Sequence, residues 1–181
     1  MKSVRVGLVG VGMAGTYHSE CLTHVHGVKA EVVGCTSRRA ESRERFAAAR
    51  GMRAFASVEA LLAEVDAVVV ASPPYVHEAN ILAAAEAGRH VLCEKPLTGW
   101  FGPEGAGATF RGDAEPKGPM FEAVRGRLDR IRQAVRGAGI TFAYAENFVY
   151  APAVQKEREL IERTGAQVLR MIGEESHSGS H

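Results

Sequence analysis

The sequence has few of the residues that mark several classes of protein. Its three cysteines, Cys21, Cys35 and Cys93, are scattered and follow no metal-ligand spacing. We therefore predict reduced thiols, a cytoplasmic location and no metal site. No apolar run approaches the roughly 20 residues that cross a bilayer. The chain enters a predicted strand at Val4, which we interpret as leaving no room for a signal peptide.

An excess of charge of either sign is also absent. The 22 lysines and arginines and 21 acidic residues give a formal net charge of +1. This balance gives no overall field that would attract nucleic acid or an acidic membrane. The predicted helix from Phe121 to Arg136 is rich in arginine, but Glu122 and Asp129 are interleaved. We therefore interpret that helix as a solvated face rather than a nucleic-acid surface.

Short apolar segments alternate with amphipathic ones along most of the chain. Strands are predicted at residues 4–9, 29–36, 53–55, 66–71, 90–93 and 141–145. Helices are predicted at residues 13–25, 39–50, 58–64, 75–87, 121–136 and 153–163. Uniformly apolar strands that alternate with helices indicate a parallel sheet covered on both faces. Right-handed crossovers make this an α/β fold with a doubly wound parallel sheet, the Rossmann arrangement.

The pattern predicts two domains of unequal size. Residues 1–146 form the Rossmann domain, interrupted by an insertion at 98–118, and residues 147–181 begin a second α/β domain. The insertion is either a surface loop or a flap that contacts the cofactor through Trp100 or Phe101. A new strand is predicted from Gln167 to Ile172, and its partners are missing. We therefore expect the chain to be a fragment whose second domain is truncated.

A glycine-rich loop, Gly10 to Gly15, joins the first predicted strand to the first predicted helix. Gly10 permits the tight turn, Gly12 lets the backbone approach a pyrophosphate, and Gly15 allows the helix to pack closely on the strand. The helix N-terminus, which includes Met13 and Ala14, presents free N–H groups to phosphates. The strand–turn–helix context makes this motif a strong indication of dinucleotide binding.

The end of the second strand bears on the choice between NAD and NADP. Many NAD sites carry an acidic residue there that binds the ribose 2′-hydroxyl. This chain has no acid before Glu41 and instead has Ser37, Arg38 and Arg39. A serine and two arginines suit a 2′-phosphate, so we predict NADP as the preferred cofactor and NAD as the other. In the alternative, an arginine covers the adenine face or points to solvent.

Two further loops follow predicted strands of the same sheet. Ser72, Pro73 and Pro74 follow the strand at 66–71, and we predict that they wall the ribose and nicotinamide. His77 is either a catalytic and cofactor-contacting residue or a polar residue that opens the next helix. The ligand of a doubly wound sheet lies at the carboxyl ends of its strands, where these loops fall.

Glu94, Lys95 and Pro96 follow the strand at 90–93. A lysine at the carboxyl end of a parallel strand can reach the nicotinamide, where its ammonium can donate to a substrate oxygen and exchange a proton during hydride transfer. The alternative is an exposed loop lysine. Glu94 either orients Lys95 or binds ribose, and we predict that both residues contact the cofactor.

The remaining candidates lie toward the end of the chain. Asn147 either bonds the carboxamide or ribose of the cofactor or serves a plain turn. His177 and His181 accompany Glu174 and Glu175, but no predicted helix supports their spacing. We favour a piece of a substrate pocket or a disordered end over a metal site.

Together these motifs resemble the glucose–fructose oxidoreductase/inositol dehydrogenase/MocA (Gfo/Idh/MocA) family. The resemblance covers GVGMAG at 10–15, the segment 66–97 and AENFVYAP at 145–152. It implies a Rossmann domain followed by an α/β domain with a large open sheet. It also implies hydride transfer between NAD or NADP and a sugar or polyol, and a full-length homo-oligomer.

The resemblance also assigns residues. It makes Lys95 the active-site lysine, Glu94 and Pro96 its motif partners, and Pro73 and His77 neighbours of the cofactor. The family's second active-site motif, commonly an aspartate and a histidine on one helix, is absent here. We therefore expect cofactor binding by this chain but not catalysis by it alone.

Two other functions are compatible with the glycine loop. One is a non-catalytic sensor that binds a dinucleotide, although the intact Glu94–Pro96 motif weighs against it. The other is a different α/β protein, such as a nucleotide-sugar or methyl-donor enzyme, because a fold does not dictate a function.

Overall fold

A computed structural model of the chain describes residues 2–103, 106 and 110–172. The chain divides into two units, Met1–Ala145 and Glu146–His181. The predicted boundary lies one residue later. That the second unit begins a substrate domain stays a prediction.

Strands and helices alternate in the first unit. Its strands are β1 (Ser3–Val9), β2 (Lys29–Thr36), β3 (Arg53–Ala54), β4 (Ala67–Val70), β5 (His90–Glu94) and β6 (Phe142–Ala145). Its α-helices are α1 (Met13–Cys21), α2 (Ala40–Arg50), α3 (Val58–Leu62), α4 (His77–Glu86) and α5 (Lys117–Ala138). Short 3-10 turns lie at Leu22–His24, Pro74–Val76 and Gly112–Ala114.

All six strands form one parallel sheet in the order β3-β2-β1-β4-β5-β6. From β1 the chain adds β2 and β3 on one side. It then returns to place β4 on the other side of β1, and β5 and β6 follow outward from β4. A crevice forms where this direction reverses, at the carboxyl ends of β1 and β4. The predicted doubly wound Rossmann fold is therefore confirmed, and the reversal locates the expected ligand site.

The sheet is buried on both faces, which explains why its strands are apolar at successive positions. Val68 and Val70 of β4 pack into one cluster with Leu61 of α3. Val69, between them, packs into a second cluster with Leu8 and others. Because successive side chains of a strand point to opposite faces, the two clusters cover opposite sides of the sheet.

An ion pair joins β1 to the residue before β4, near the amino-terminal ends of the two strands and opposite the crevice. The Asp66 carboxylate accepts hydrogen bonds from the backbone N–H of Arg5 at 2.9 Å and from its guanidinium at 2.7 Å. These bonds stabilise the charged carboxylate and lower the pKa of Asp66 to about 2. The pair holds the two central strands together where each one begins.

Two predicted helix boundaries differ from the structure by four residues. Helix α1 ends at Cys21 and a 3-10 turn follows, although the prediction extended the helix to Val25. Helix α5 begins at Lys117, although the sequence predicted Phe121. Gly118 and Pro119 occupy the first turn of this helix, where backbone N–H groups have no helical partner and proline costs little. The insertion predicted at 98–118 therefore ends two residues earlier, at Pro116.

The second unit is described through Ile172 and contains a 3-10 turn, Asn147–Tyr150, and helix α6, Pro152–Thr164. Pro152 suits the first helical position, and Gly165 ends the helix with a left-handed φ of 64°. The strand predicted from Gln167 to Ile172 is wrong, because these residues have no regular structure. A strand needs a hydrogen-bonded neighbour, and no described segment pairs with them.

Within the described ranges, no helix combines the length and the apolar character needed to cross a bilayer.

Candidate functional site

A cavity of about 1040 Å³ opens at the crevice where β1, β2 and β4 end. Its lining includes seven of the predicted cofactor residues: Gly10, Gly12, Ser37, Arg38, Arg39, Ser72 and Pro73. Three separate loops, each following a different strand, therefore meet at one site. The cavity is of the size that small-molecule and cofactor sites usually have.

The glycines of the loop have different structural roles. Gly10 has a φ of +111°, and a Cβ there would meet the backbone of Ala71 and Ser72. A Cβ on Gly15 would meet the carbonyl oxygen of Gly10. A Cβ on Gly12 would meet nothing within 4 Å. Gly10 and Gly15 are therefore required by the fold, whereas Gly12 keeps space open in the cavity.

Helix α1 begins at Met13, directly after this open space. Among the described residues no side chain caps the helix, and its first backbone bond runs from Thr16 N–H to the Gly12 carbonyl at 3.0 Å. The N–H groups of Met13, Ala14 and Gly15 thus keep the orientation of an open helix N-terminus. Such an end suits a pyrophosphate, and the space above Gly12 fits the same group.

The loop between β2 and α2 carries two arginines. Arg38 and Arg39 line the cavity there, and Ser37 Oγ donates to the Arg39 carbonyl at 3.2 Å. Ser42 and Arg45 of α2 also line the cavity, which the sequence analysis missed. Their spacing of three residues on one helix was the available signal, since such residues share a face.

Arg50 lines the same cavity but is held by other contacts. Its guanidinium lies 3.9 Å from the centre of the Phe46 ring, and its Nε donates to Ser19 Oγ at 3.1 Å. These contacts tie α2 to α1 beside the cavity. Arg50 therefore contributes charge from a fixed position.

The loop after β4 forms another wall of the cavity. Ser72, Pro73 and Tyr75 line it, and so does Asn80, whose side-chain amide donates to Ser72 Oγ at 2.9 Å. Sequence reasoning missed Asn80, which lies three residues after His77 on α4. Pro74 opens the adjoining 3-10 turn and does not line the cavity.

His77 is buried and begins α4. Its Nε2 lies 2.7 Å from the Ser72 carbonyl oxygen and its Nδ1 lies 3.0 Å from that of Pro96. The predicted catalytic role and cofactor contact receive no support from this position, because both ring nitrogens face backbone carbonyls. The geometry favours the alternative, in which His77 is a polar residue that opens the helix. His77 also links the loop that contains Ser72 to the loop that contains Pro96.

Lys95 follows β5, at the same edge of the sheet, and is exposed. Glu94 precedes it, and the two carboxylate oxygens have different partners. Oε1 accepts from His18 Nε2 at 2.9 Å, and Oε2 accepts from the backbone N–H of Lys95 at 2.9 Å. Of the two roles predicted for Glu94, this arrangement favours orienting the lysine. The peptide bond between Lys95 and Pro96 is cis.

Cys93 lies inside the sheet next to this loop. Burial, with a smaller contribution from the charge of Glu94, raises the pKa of the Cys93 thiol to about 12. A thiol with so high a pKa is a poor nucleophile and metal ligand. Cys93 therefore packs as a small apolar residue, and Cys35 is also buried.

Part of the predicted insertion packs beside the cavity wall. The ring of Phe101 meets that of Tyr75 edge-on, with centroids 6.3 Å apart. Trp100 meets Phe110 in the same way at 5.1 Å. Phe101 thus contacts a residue that lines the cavity, although neither Phe101 nor Trp100 lines it. Residues 104, 105 and 107–109 lie outside the described part of the chain.

Several predicted residues are not brought to the cavity. Lys95 and Glu94 lie at the sheet edge but not in the lining. Asn147 belongs to the second unit, where it begins a 3-10 turn, and its predicted cofactor contact stays a prediction. The four tail residues weighed as a metal set, Glu174, Glu175, His177 and His181, lie outside the described residues. Within the described ranges, no three His, Cys, Asp or Glu side chains gather as metal ligands would.

Comparison with known proteins gives a consistent result for this region. Residues 4–106 match a family described as GFO_IDH_MocA, oxidoreductase family, NAD-binding Rossmann fold. UDP-N-acetylglucosamine 3-dehydrogenase of Acidithiobacillus ferrooxidans is 40% identical over 98 residues, which are 54% of this chain and 30% of the relative. Inositol 2-dehydrogenase 3 of Saccharopolyspora erythraea is 42% identical over 97 residues, 52% of this chain and 28% of the relative.

Solved structures agree with the sequence relatives. The A. ferrooxidans UDP-N-acetylglucosamine 3-dehydrogenase superposes with a TM-score of 0.70 at 28% identity, covering 88% of this chain and 44% of that one. GenD2 from gentamicin A biosynthesis, solved in complex with NAD, has a TM-score of 0.70 at 27% identity, covering 92% and 41%. The chain thus spans about three-tenths of the length of the curated relatives named above.

Proposed function

Because the chain belongs to the Gfo/Idh/MocA oxidoreductase family, we propose that it is the cofactor-binding part of an NADP- or NAD-dependent dehydrogenase. Its substrate would be a sugar, polyol or related compound that is oxidised or reduced at a CH–OH carbon. The observation that carries the proposal is the open space above Gly12, which lies at the N-terminus of α1 in the crevice of the sheet.

The proposed binding roles follow from the cavity lining. When bound, NADP or NAD supplies the hydride acceptor or donor. The N–H groups at the start of α1, after Gly12, would hold the pyrophosphate. Ser37, Arg38 and Arg39 would hold the adenosine ribose and its 2′-phosphate. Ser72 and Pro73 would wall the other half of the site.

Lys95 is the proposed catalytic residue. Its exposed ammonium would donate a hydrogen bond to the substrate oxygen and take up or return the proton of the alcohol. Its place after β5 supports this role, since that strand neighbours β4 and ends at the edge where the cavity opens. Glu94 would hold the backbone of the lysine in place.

The proposed enzyme would be cytoplasmic and would act as a homo-oligomer on a small-molecule substrate. Burial of Cys35 and Cys93 as thiols supports the location, because such cysteines are common where thiols stay reduced. The oligomer rests on the resemblance to the family.

A survey of sugars and polyols with NADP and with NAD, run on the full-length protein, tests the function. Formation of reduced nicotinamide with at least one compound is the expected result, followed by its absorbance. Binding of the cofactor without hydride transfer to or from any compound would favour the non-catalytic sensor instead.

NADPH is expected to bind at least about tenfold more tightly than NADH, because charge-assisted hydrogen bonds to the 2′-phosphate add roughly 1.5–3 kcal/mol. Replacing Arg38 and Arg39 with alanine together should remove most of that difference and leave NADH binding nearly unchanged. Arg132→Ala is a matched control, because Arg132 lies on α5, pairs with Asp129 and is absent from the cavity lining. Fluorescence titration of both cofactors measures the effect, and tighter binding of NADH would contradict the NADP preference.

A further inference from the structure

The carboxylate of Glu94 joins two parts of the site that are far apart in sequence. His18, on α1, donates from Nε2 to Glu94 Oε1, since a carboxylate can only accept. The second oxygen of the same carboxylate receives the backbone N–H of Lys95. A continuous chain of hydrogen bonds therefore runs from the glycine-loop helix to the backbone of the lysine.

The contact between His18 and Glu94 is shielded from water. The two side chains are 18% and 20% exposed. The chain contains a second histidine–glutamate contact for comparison, His24 with Glu20, whose side chains are 73% and 76% exposed and 3.4 Å apart. Charge-assisted hydrogen bonds are shorter and stronger when they are desolvated, and a shielded carboxylate left without its donor is costly. We therefore expect the His18–Glu94 contact to keep a fixed geometry, and the exposed His24–Glu20 contact to contribute little.

The lysine loop is held on its other side as well. The carbonyl oxygen of Pro96 lies 3.0 Å from Nδ1 of the buried His77. The backbone before and after Lys95 is therefore anchored to α1 and to α4, while the lysine side chain is left exposed. An anchored backbone with an exposed side chain is expected where a flexible side chain must act from a fixed backbone position.

We infer that His18 is a positioning residue, which acts through the Glu94 carboxylate to fix the backbone of Lys95 relative to the start of α1. The inference rests on the role proposed above for Lys95 and extends it. His18 makes no proposed contact with cofactor or substrate, and it does not line the cavity. Its contribution is to keep the lysine at a set place beside the helix that would hold the pyrophosphate.

Three variants test the inference. His18→Ala removes the donor, His18→Gln retains a side-chain N–H that can reach Glu94, and His24→Ala removes the exposed contact of the same type. Amide hydrogen exchange at Lys95, resolved by NMR, is the first readout because it needs neither cofactor nor turnover. We expect His18→Ala to accelerate this exchange about tenfold, which corresponds to a loss of about 1.4 kcal/mol of local protection. His18→Gln should restore most of the protection, and His24→Ala should have no effect.

The second readout separates positioning from binding. In the full-length protein, His18→Ala should lower the turnover number about tenfold, while the dissociation constant of NADPH and the Michaelis constant for the substrate change less than about twofold. Thermal unfolding of each variant shows whether the fold persists, and His18→Gln keeps the test valid if the alanine variant does not fold.

Two results would overturn the inference. One is unchanged amide exchange at Lys95 in a folded His18→Ala protein, and the other is exchange as fast in His18→Gln as in His18→Ala. That result leaves the proposed dehydrogenase activity intact, because the survey of sugars and polyols with the unsubstituted protein tests it separately.

Discussion

In the full-length protein, Lys95→Met is expected to reduce hydride transfer by about 10²- to 10⁴-fold, the range usual for loss of a general acid–base group. Methionine keeps an unbranched side chain of similar reach but has no ammonium to donate to the substrate oxygen. The dissociation constant of NADPH should change less than about twofold, because the proposed contacts to phosphate and ribose come from other loops. Steady-state rates and a fluorescence titration measure the two effects.

Lys29→Met is the matched control for this substitution. Lys29 is an exposed lysine at the first residue of β2, at the edge of the sheet opposite the cavity. Its replacement changes the net charge by the same amount and should leave turnover and binding unaltered. Turnover at the parent rate in Lys95→Met would reject the assigned role. Equal losses in both variants would point to charge rather than to the position of Lys95.

Gly12→Val is expected to weaken NADPH binding about 100-fold, or about 2.7 kcal/mol, while the protein stays folded. Gly12 has an ordinary φ of −79° and an extended ψ of −161°, and a Cβ there meets no atom within 4 Å. The added side chain would therefore occupy only the space that we propose for the pyrophosphate. The cost in unfolding free energy should stay near 1 kcal/mol, because glycine is a better N-cap than valine.

Two other glycines separate binding from folding. In Gly15→Ala the new Cβ would meet the Gly10 carbonyl oxygen, so stability should fall by more than about 1 kcal/mol. In Gly137→Ala, near the end of α5, the new Cβ meets nothing within 4 Å, so stability should rise by up to about 1 kcal/mol with binding unchanged. Chemical denaturation and NADPH titration measure all three. Parental affinity in Gly12→Val would remove the main support for the proposed cofactor site.

The features that sequence reasoning predicted well depend on neighbours in the chain. The apolar run at 66–71 predicted a buried strand, and β4 occupies Ala67–Val70. The glycine loop predicted a turn between a strand and a helix, and Gly10 adopts a positive φ there. Alternation of such segments with helices was enough to predict the sheet, because parallel strands buried on both faces are apolar at successive positions.

The errors came from features that depend on distant partners or on position within a helix. The insertion was predicted to extend to Gly118, but Gly118 and the following Pro119 lie in the first turn of α5, where the missing N–H of proline has no consequence. Residues 167–172 have the composition of a strand, but composition does not supply the neighbouring strand that must pair with them. For His77 the sequence left two roles open, a site residue or a polar residue that opens the next helix, because its burial depends on the packing of α4.

The residues alone therefore determined the type of fold, the glycine-rich turn after β1 and the place of Lys95 at the carboxyl end of a strand. Those properties follow from local periodicity, from glycine's lack of a side chain and from the order of strands along the chain. Tertiary structure alone decided which side chains meet. His18 and Glu94 are 76 residues apart, and they form a bond because α1 packs beside the end of β5. Contacts of this kind depend on how elements pack, and no local pattern encodes their partners.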